Sequence, residues 1–236
     1  MPLPKVKHPI YEFTVPSTGK KESFRPFLVR EEKILLMAKS SEDPADSLRA
    51  VKQIVNNCAV NNAFDVDKLP IFDLEYLFLQ LRAVSVNNTV SVSYRDNEDK
   101  RVYDFSIDLK DIKVKFPENS DPVIKVTDDM GLTMKWPAAS LLDDQNYFKV
   151  GDDAYYELIL RCIDKIYDGD EIYNPADYSL KEIEEFLDDC GVDTLDKIQK
   201  FMSEAPRLYH KLTYTNANGK ERVIELTSLT DFFTLR

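Results

Sequence analysis

The most regular hydrophobic pattern in the chain is a helical one at residues 70–85. At about 100° per residue, one wide apolar face is formed by Leu74, Leu77, Phe78 and Leu81. A second apolar face is formed by Phe72, Leu79 and Ala83. A helix that is apolar on two sides must be covered on two sides. Either this helix lies in the middle of its own domain, or a partner protein covers the second face. On the second interpretation the partner-binding residues are Phe72, Tyr76, Leu79 and Ala83.

Alternating and turn-rich segments predict antiparallel hairpins at the start, middle and end of the chain. The predicted strand pairs are residues 11–15 with 24–29, 89–94 with 102–107, and 208–215 with 221–227. The last pair flanks Asn218-Gly219, which is the strongest short hairpin signal. Further short strands are predicted at residues 112–116, 123–126, 132–136 and 171–173.

Apolar spacing and capping residues predict the remaining helices. Their positions are residues 31–40, 43–58, 138–146, 152–166, 179–190 and 194–204. In the first of these, Ile34, Met37 and Ala38 share one face. In the fifth, Ser179 and Glu182 form a capping box and Gly191 fits the position just after the helix end.

These elements indicate an α+β fold, in which antiparallel β-hairpins are segregated from the helices. The C-terminal half is mostly helical and is closed by the last β-hairpin. Two domains are predicted, at residues 1–127 and 128–236, unless the chain forms one continuous domain. The 236 residues suffice for a sizeable core without disulfides or structural metals.

The net charge of −11 argues against nucleic acid and anionic membranes as partners, because acidic proteins repel phosphate. No apolar run approaches the roughly 20 residues of a membrane span. The three cysteines are far apart and occupy apolar helix positions, which is typical of core residues. With no signal peptide in the sequence, a cytosolic protein is expected.

The sequence predicts no catalytic, cofactor or metal site. Gly19-Lys20 lacks the other residues of a phosphate-binding loop. The segment from Asp164 has Ile166 and Pro175 where a calcium loop needs oxygen ligands. The paired aspartates fall at predicted caps and turns, where they bond backbone N–H groups. With only two histidines besides, the chain is expected to be a binding protein and not an enzyme.

Three stretches resemble the T-even-type phage baseplate hub assembly family. The first is RPFLVREEKILLMA at residues 25–38, preceded by a Pro-Ser-x-Gly-Lys turn at residues 16–20. The second is LPIFDLEYLF at residues 69–78, continued by LRAVSV at residues 81–86. The third lies at residues 206–214, with Asn218-Gly219 and residues 231–233. The likeness is strongest over roughly the first 110 residues.

The resemblance implies a non-enzymatic assembly chaperone that binds other baseplate hub proteins in the host cytoplasm and has no cofactor. One alternative is a permanent structural subunit of the hub, which would end in the tail baseplate of the virion. A third hypothesis is a tail-associated hydrolase with two converging carboxylates. The family brings no catalytic residues that could be placed on this sequence.

Overall fold

A computed structural model of the chain describes residues 6–41, 43–118 and 120–234 and forms two units. Unit 1 consists of residues 1–115 and 207–236, and unit 2 of residues 116–206. The predicted division near residue 128 therefore differs from the observed one. The physical reason is strand pairing, since residues 113–115 pair antiparallel with residues 207–209 and bring the C-terminal hairpin into unit 1.

Helices and short strands follow one another along the chain without a repeating order. The helices are α1 (Val29–Lys39), α2 (Pro44–Cys58), α3 (Ile71–Ser85), α4 (Asp152–Arg161), α5 (Leu180–Asp188), α6 (Val192–Ser203) and α7 (Asp231–Thr234). The strands are β1 (Tyr11–Thr14), β2 (Lys21–Phe24), β3 (Thr89–Arg95), β4 (Val102–Asp108), β5 (Lys113–Lys115), β6 (Val123–Lys125), β7 (Met130–Met134), β8 (Ile163–Asp168), β9 (Glu171–Tyr173), β10 (Arg207–Thr215) and β11 (Glu221–Leu226). Every described sheet pair is antiparallel, and the predicted α+β class is confirmed.

Unit 1 places small sheets around the helix that carries the strongest sequence pattern. Its sheets are the β1–β2 hairpin, the β3–β4 hairpin and a three-stranded sheet in the order β11-β10-β5. Helix α3 contacts α2, β5, β10 and the 3-10 turn at Leu109–Asp111. Its buried side chains include Leu74, Leu77 and Leu81, none of which exposes any surface. The core of unit 1 is therefore built around α3.

The first hairpin is shorter than predicted. Strand β2 ends at Phe24, which lies opposite Tyr11, whereas the prediction extended this strand over residues 24–29. The turn between the strands is tight because Gly19 adopts a φ of +67°, and β2 therefore begins as early as Lys21. Residues 25–28 lead from the strand into α1 instead.

Unit 2 packs helices against one face of a four-stranded sheet in the order β6-β7-β8-β9. Its core joins sheet residues such as Leu132 and Ile163 to Ile159 of α4, Ile183 of α5 and Ile198 of α6. The ring of Trp136 stacks on Phe201 with centroids 3.8 Å apart. Among the described residues, every helix is too short or too polar to span a bilayer.

Three local predictions in unit 2 were wrong. Helix α4 ends at Arg161, and Ile166 lies in β8 opposite Leu132 and Tyr173, because the Asp168-Gly169 turn folds this segment into a hairpin. The helix expected at residues 138–146 consists of two 3-10 turns, Ala139–Asp143 and Gln145–Phe148. Gly191 has a φ of −67° and caps the start of α6, while Asp189 ends α5.

Candidate partner-binding surface

The turn at residues 16–20 is hydrogen-bonded to a buried carboxylate of α3. The backbone N–H of Ser17 donates to Asp73 Oδ1 at 3.0 Å, and the Ser17 hydroxyl donates to Oδ2. Asp73 exposes none of its surface. Burial raises the pKa of Asp73 to about 6, although both hydrogen bonds from Ser17 oppose the shift. Two stretches of the resemblance, 56 positions apart, thus meet at one hydrogen-bonded pair.

The chain after β2 also contacts α3, through a ring contact and a hydrogen bond. The ring of Phe27 packs against Phe78 with centroids 5.6 Å apart, and its backbone N–H donates to Ser85 Oγ at 2.7 Å. Phe27 and Phe78 are both buried. Helix α3 therefore fixes the position from which α1 starts.

A buried ion pair then fixes the rotation of α1. The Arg25 guanidinium donates to both carboxylate oxygens of Glu31, at 2.8 and 3.1 Å, and also to the backbone oxygen of Asn57 in α2 at 2.7 Å. The Leu28 N–H and Arg30 Nε complete the set of donors to Glu31. Burial alone would raise the pKa of Glu31, but these hydrogen bonds outweigh it and hold the pKa below its usual range.

Glu31 is the buried residue of α1. Because its carboxylate points inward, the side chains on the opposite side of the helix point outward. At about 100° per residue, Val29, Leu36 and Met37 lie on the side opposite Glu31. Val29 and Met37 each expose 75% of their surface and Leu36 exposes 58%. The predicted grouping of Met37 with Ile34 and Ala38 was therefore wrong, because Ile34 and Ala38 are half-buried.

We name Val29, Lys33, Leu36 and Met37 the α1 outer face. Lys33 is exposed between the apolar residues, while Arg30 and Lys39 flank them and Glu32 adds one negative charge. Lys33 and Lys39 form no ion pair with any residue that the structure describes. The α1 outer face therefore combines three apolar side chains with Lys33 among them and Arg30 and Lys39 at its edges, on a chain whose net charge is −11.

The sequence contained a signal for this surface that the prediction did not use. Residues 34–38 are five consecutive apolar residues, and such a run spans more than one full turn of a helix. A helix packed on one side cannot bury all five. Periodicity alone did not show which of them face outward, because the inward position of Glu31 depends on Arg25.

The second apolar face of α3 is covered within unit 1. Phe72 exposes 5% of its surface, Leu79 none and Ala83 8%, whereas Tyr76 is half-buried. Residues on either side of this face bind other parts of unit 1: Glu75 Oε1 accepts from the Leu229 N–H at 3.2 Å, and Gln80 Nε2 donates to the Leu109 oxygen at 3.4 Å.

Of the two interpretations of α3, the helix in the middle of its own domain accounts for this burial. A partner could reach Phe72, Leu79 and Ala83 only after the covering segments had moved away. Their partner-binding role stays a prediction, and the structure offers the α1 outer face as the more accessible surface.

Two carboxylates converge in unit 2, in the kind of arrangement where hydrolytic chemistry could be sought. Asp144 and Glu157 both pair with Arg161, at 2.9 and 2.6 Å. The depression that they line measures about 10 Å³, roughly the space of one water molecule. A wider depression of about 350 Å³ on the outer face of the β6–β9 sheet is lined by one acid, Asp170. Neither arrangement presents a carboxylate pair to a sugar-sized substrate.

The paired aspartates serve local backbone geometry in several cases. Asp144 accepts from the Asn146 N–H at 2.8 Å, and Asp152-Asp153 lie in the first turn of α4. Within the described ranges, no three His, Cys, Asp or Glu side chains are grouped so that they could hold a metal ion.

Comparison with known proteins gives one match, and it covers nearly the whole chain. The family model described as T4 bacteriophage base plate protein matches residues 8–234. No curated protein and no solved structure matches. The matched range includes the Ser17–Asp73 contact, the Arg25–Glu31 pair and the C-terminal hairpin. The chain therefore belongs to the T4 bacteriophage base plate protein family.

Proposed function

We propose that this protein is a non-enzymatic assembly factor of the baseplate hub. In this role it binds other hub proteins in the host cytoplasm during tail morphogenesis. The observation that carries the proposal is the α1 outer face, where three large apolar side chains are exposed in a stretch that also carries the family resemblance. Exposed apolar surface with a polar rim is typical of protein–protein binding sites.

The surroundings of the acidic groups in both units support the same conclusion. The converging carboxylates of Asp144 and Glu157 are held by Arg161 beside a space too small for a substrate. The buried carboxylate of Glu31 is held by Arg25 and Arg30 in an arrangement that orients a helix. These acidic groups have structural partners that account for their positions.

The first test is co-expression of the full chain with each baseplate protein of the same phage. Size-exclusion chromatography should give a 1:1 or higher-order complex with at least one of them. A stable complex should bury about 800 Å² on each partner. If the chain elutes alone beside every baseplate protein, the proposal is wrong.

The second test separates an assembly factor from a permanent subunit. Both roles use the same kind of binding surface and differ in what remains in the finished particle. Quantitative mass spectrometry of purified mature tails should find the chain far below one copy per baseplate. A stoichiometric amount in mature tails would instead identify a structural subunit.

A further inference from the structure

The charges around the α1 outer face indicate what kind of molecule it binds. Within α1, Lys33 lies among Val29, Leu36 and Met37, Arg30 and Lys39 lie beside them, and Glu32 is the exposed acid of the helix. Arg30 Nε is held at 2.8 Å from Glu31, so its charge is partly balanced, but 64% of its side chain remains exposed. A complementary surface must bring apolar side chains against Val29, Leu36 and Met37 and negative charge close to Lys33 and the edges of the face.

Resting on the proposed function, we propose that the α1 outer face binds an acidic amphipathic helix of another baseplate protein. Leu36 and Met37 lie seven and eight positions after Val29, about two helical turns, so the three side chains share one face against which a second helix can pack. Acidic residues of the bound helix then lie opposite Lys33 and Lys39, which have no ion-pair partner among the described residues.

A second copy of this chain does not fit the same surface. In a symmetric dimer each patch contacts its own counterpart. Two α1 outer faces would therefore bring the positive charges of one copy, Lys33 among them, close to the positive charges of the other. Like charges opposed across an interface are unfavourable, so these charges disfavour self-pairing.

Three exposed apolar side chains can form the centre of an interface, whereas a whole interface takes about 20–30 residues on each side. Binding energy concentrates in a few buried apolar side chains, surrounded by contacts that exclude water. Val86 is a further exposed apolar residue of unit 1. It exposes 60% of its surface and follows Ser85, whose hydroxyl accepts the Phe27 N–H at 2.7 Å.

The test uses the complex of the full chain with the baseplate protein that it binds, and four variants of the chain. Met37→Asp removes an apolar contact, and Lys33→Glu reverses the positive charge within the α1 outer face. Val192→Asp and Lys200→Glu are the matched controls. They make the same chemical changes at exposed positions of unit 2. Affinity is measured by isothermal titration calorimetry, and circular dichroism confirms that each variant is folded.

Met37→Asp and Lys33→Glu should each raise Kd at least about tenfold, and the controls should change it less than about twofold. The wild-type affinity should fall as salt is raised, and the Lys33→Glu variant should show a smaller salt dependence. Changing an acidic residue of the partner helix to Lys should restore binding to Lys33→Glu.

Different failures have different meanings. If no baseplate protein binds the wild-type chain, the proposed function itself is wrong. If a complex forms and both α1 variants bind as tightly as the wild type, the function stands and this inference is overturned. The inference is also overturned if the chain alone forms a dimer that Met37→Asp dissociates, because a second copy would then be the occupant.

Discussion

The hydroxyl of Tyr214 donates a hydrogen bond to Asp96 Oδ2 at 2.6 Å and joins two hairpins whose residues lie 118 positions apart. Asp96 is at the tip of the β3–β4 hairpin and exposes only 2% of its surface. The neighbouring Asp99 accepts from the Ala217 N–H at 2.8 Å, so the same tip also holds the turn between β10 and β11. The second and third predicted hairpins therefore form one connected structure.

Tyr214→Phe should destabilise unit 1, because the ring is kept while the buried Asp96 loses the hydroxyl that donates to its Oδ2. We expect a melting temperature about 3–6 °C lower. Tyr209→Phe is the matched control in the same strand. It removes an exposed hydrogen bond to Glu225 at 3.1 Å. The melting temperatures are measured by thermal unfolding, with circular dichroism as the probe. Equal melting temperatures for the two variants would contradict the prediction.

Glu31→Gln should cost roughly 3 kcal/mol of unfolding free energy, because it leaves Arg25 largely buried without its counter-charge. Glu32→Gln, at the exposed neighbouring position, should change stability by less than about 0.5 kcal/mol. Urea unfolding at neutral pH measures both. Because the pKa of Glu31 is lowered, its contribution is present at neutral pH and is lost as pH falls below the ordinary glutamate range. The two variants should therefore converge in acid.

Asp73→Asn should make the protein more stable at pH 7.5 than the wild type, by on the order of 1–2 kcal/mol. The folded pKa of Asp73 is raised to about 6, so the folded state holds this proton more tightly than the unfolded chain does. The stability that this carboxyl contributes is full below about pH 4 and is lost as pH rises through about 6. Asparagine keeps an acceptor for the Ser17 N–H and does not titrate.

The measurement is urea unfolding of the wild type and Asp73→Asn at pH 5, 6 and 7.5. The advantage of the variant should grow across this range. Asp196→Asn serves as the control, because Asp196 is exposed on α6 and its substitution should give a constant offset. An Asp73→Asn advantage that does not change with pH would show that Asp73 is not responsible.

Leu79→Asp should unfold unit 1, whereas Met37→Asp should leave it folded. Leu79 exposes no surface and Met37 exposes 75%, so the same chemical change buries a charge at one position and not at the other. Circular dichroism and urea unfolding compare the two. If Leu79→Asp folds normally and loses partner binding, the second face of α3 is a binding surface after all, and the partner-binding prediction for Phe72, Tyr76, Leu79 and Ala83 gains its support.

Local signals in the sequence predicted the elements that depend on neighbouring residues. The wide apolar face of α3, the Asn218-Gly219 turn and the Ser179–Glu182 capping box each involve residues within a few positions of one another, and the structure confirms them. Asp43 likewise caps α2 by accepting from the Ala45 N–H. These features needed no knowledge of the tertiary fold.

The predictions that were wrong depended on contacts between distant residues. Ile166 fits both a helical and an alternating pattern, and its pairing with Leu132 selects the strand. The division into units likewise depends on the pairing of Lys113–Lys115 with β10, which no local pattern shows. The α1 outer face was missed for the same reason, since the inward position of Glu31 depends on Arg25, which lies before the helix.

The pairing of β5 with β10 has a consequence for how the protein is made. At roughly 5–20 residues per second, a ribosome needs about 5–20 s to synthesise the stretch between these two strands. During that interval α1 to α3 have emerged, but the segment that binds Glu75 has not. Unit 2 can complete its own core in the meantime. Until β10 and β11 have been synthesised, α1 therefore packs against a core of unit 1 that is still incomplete.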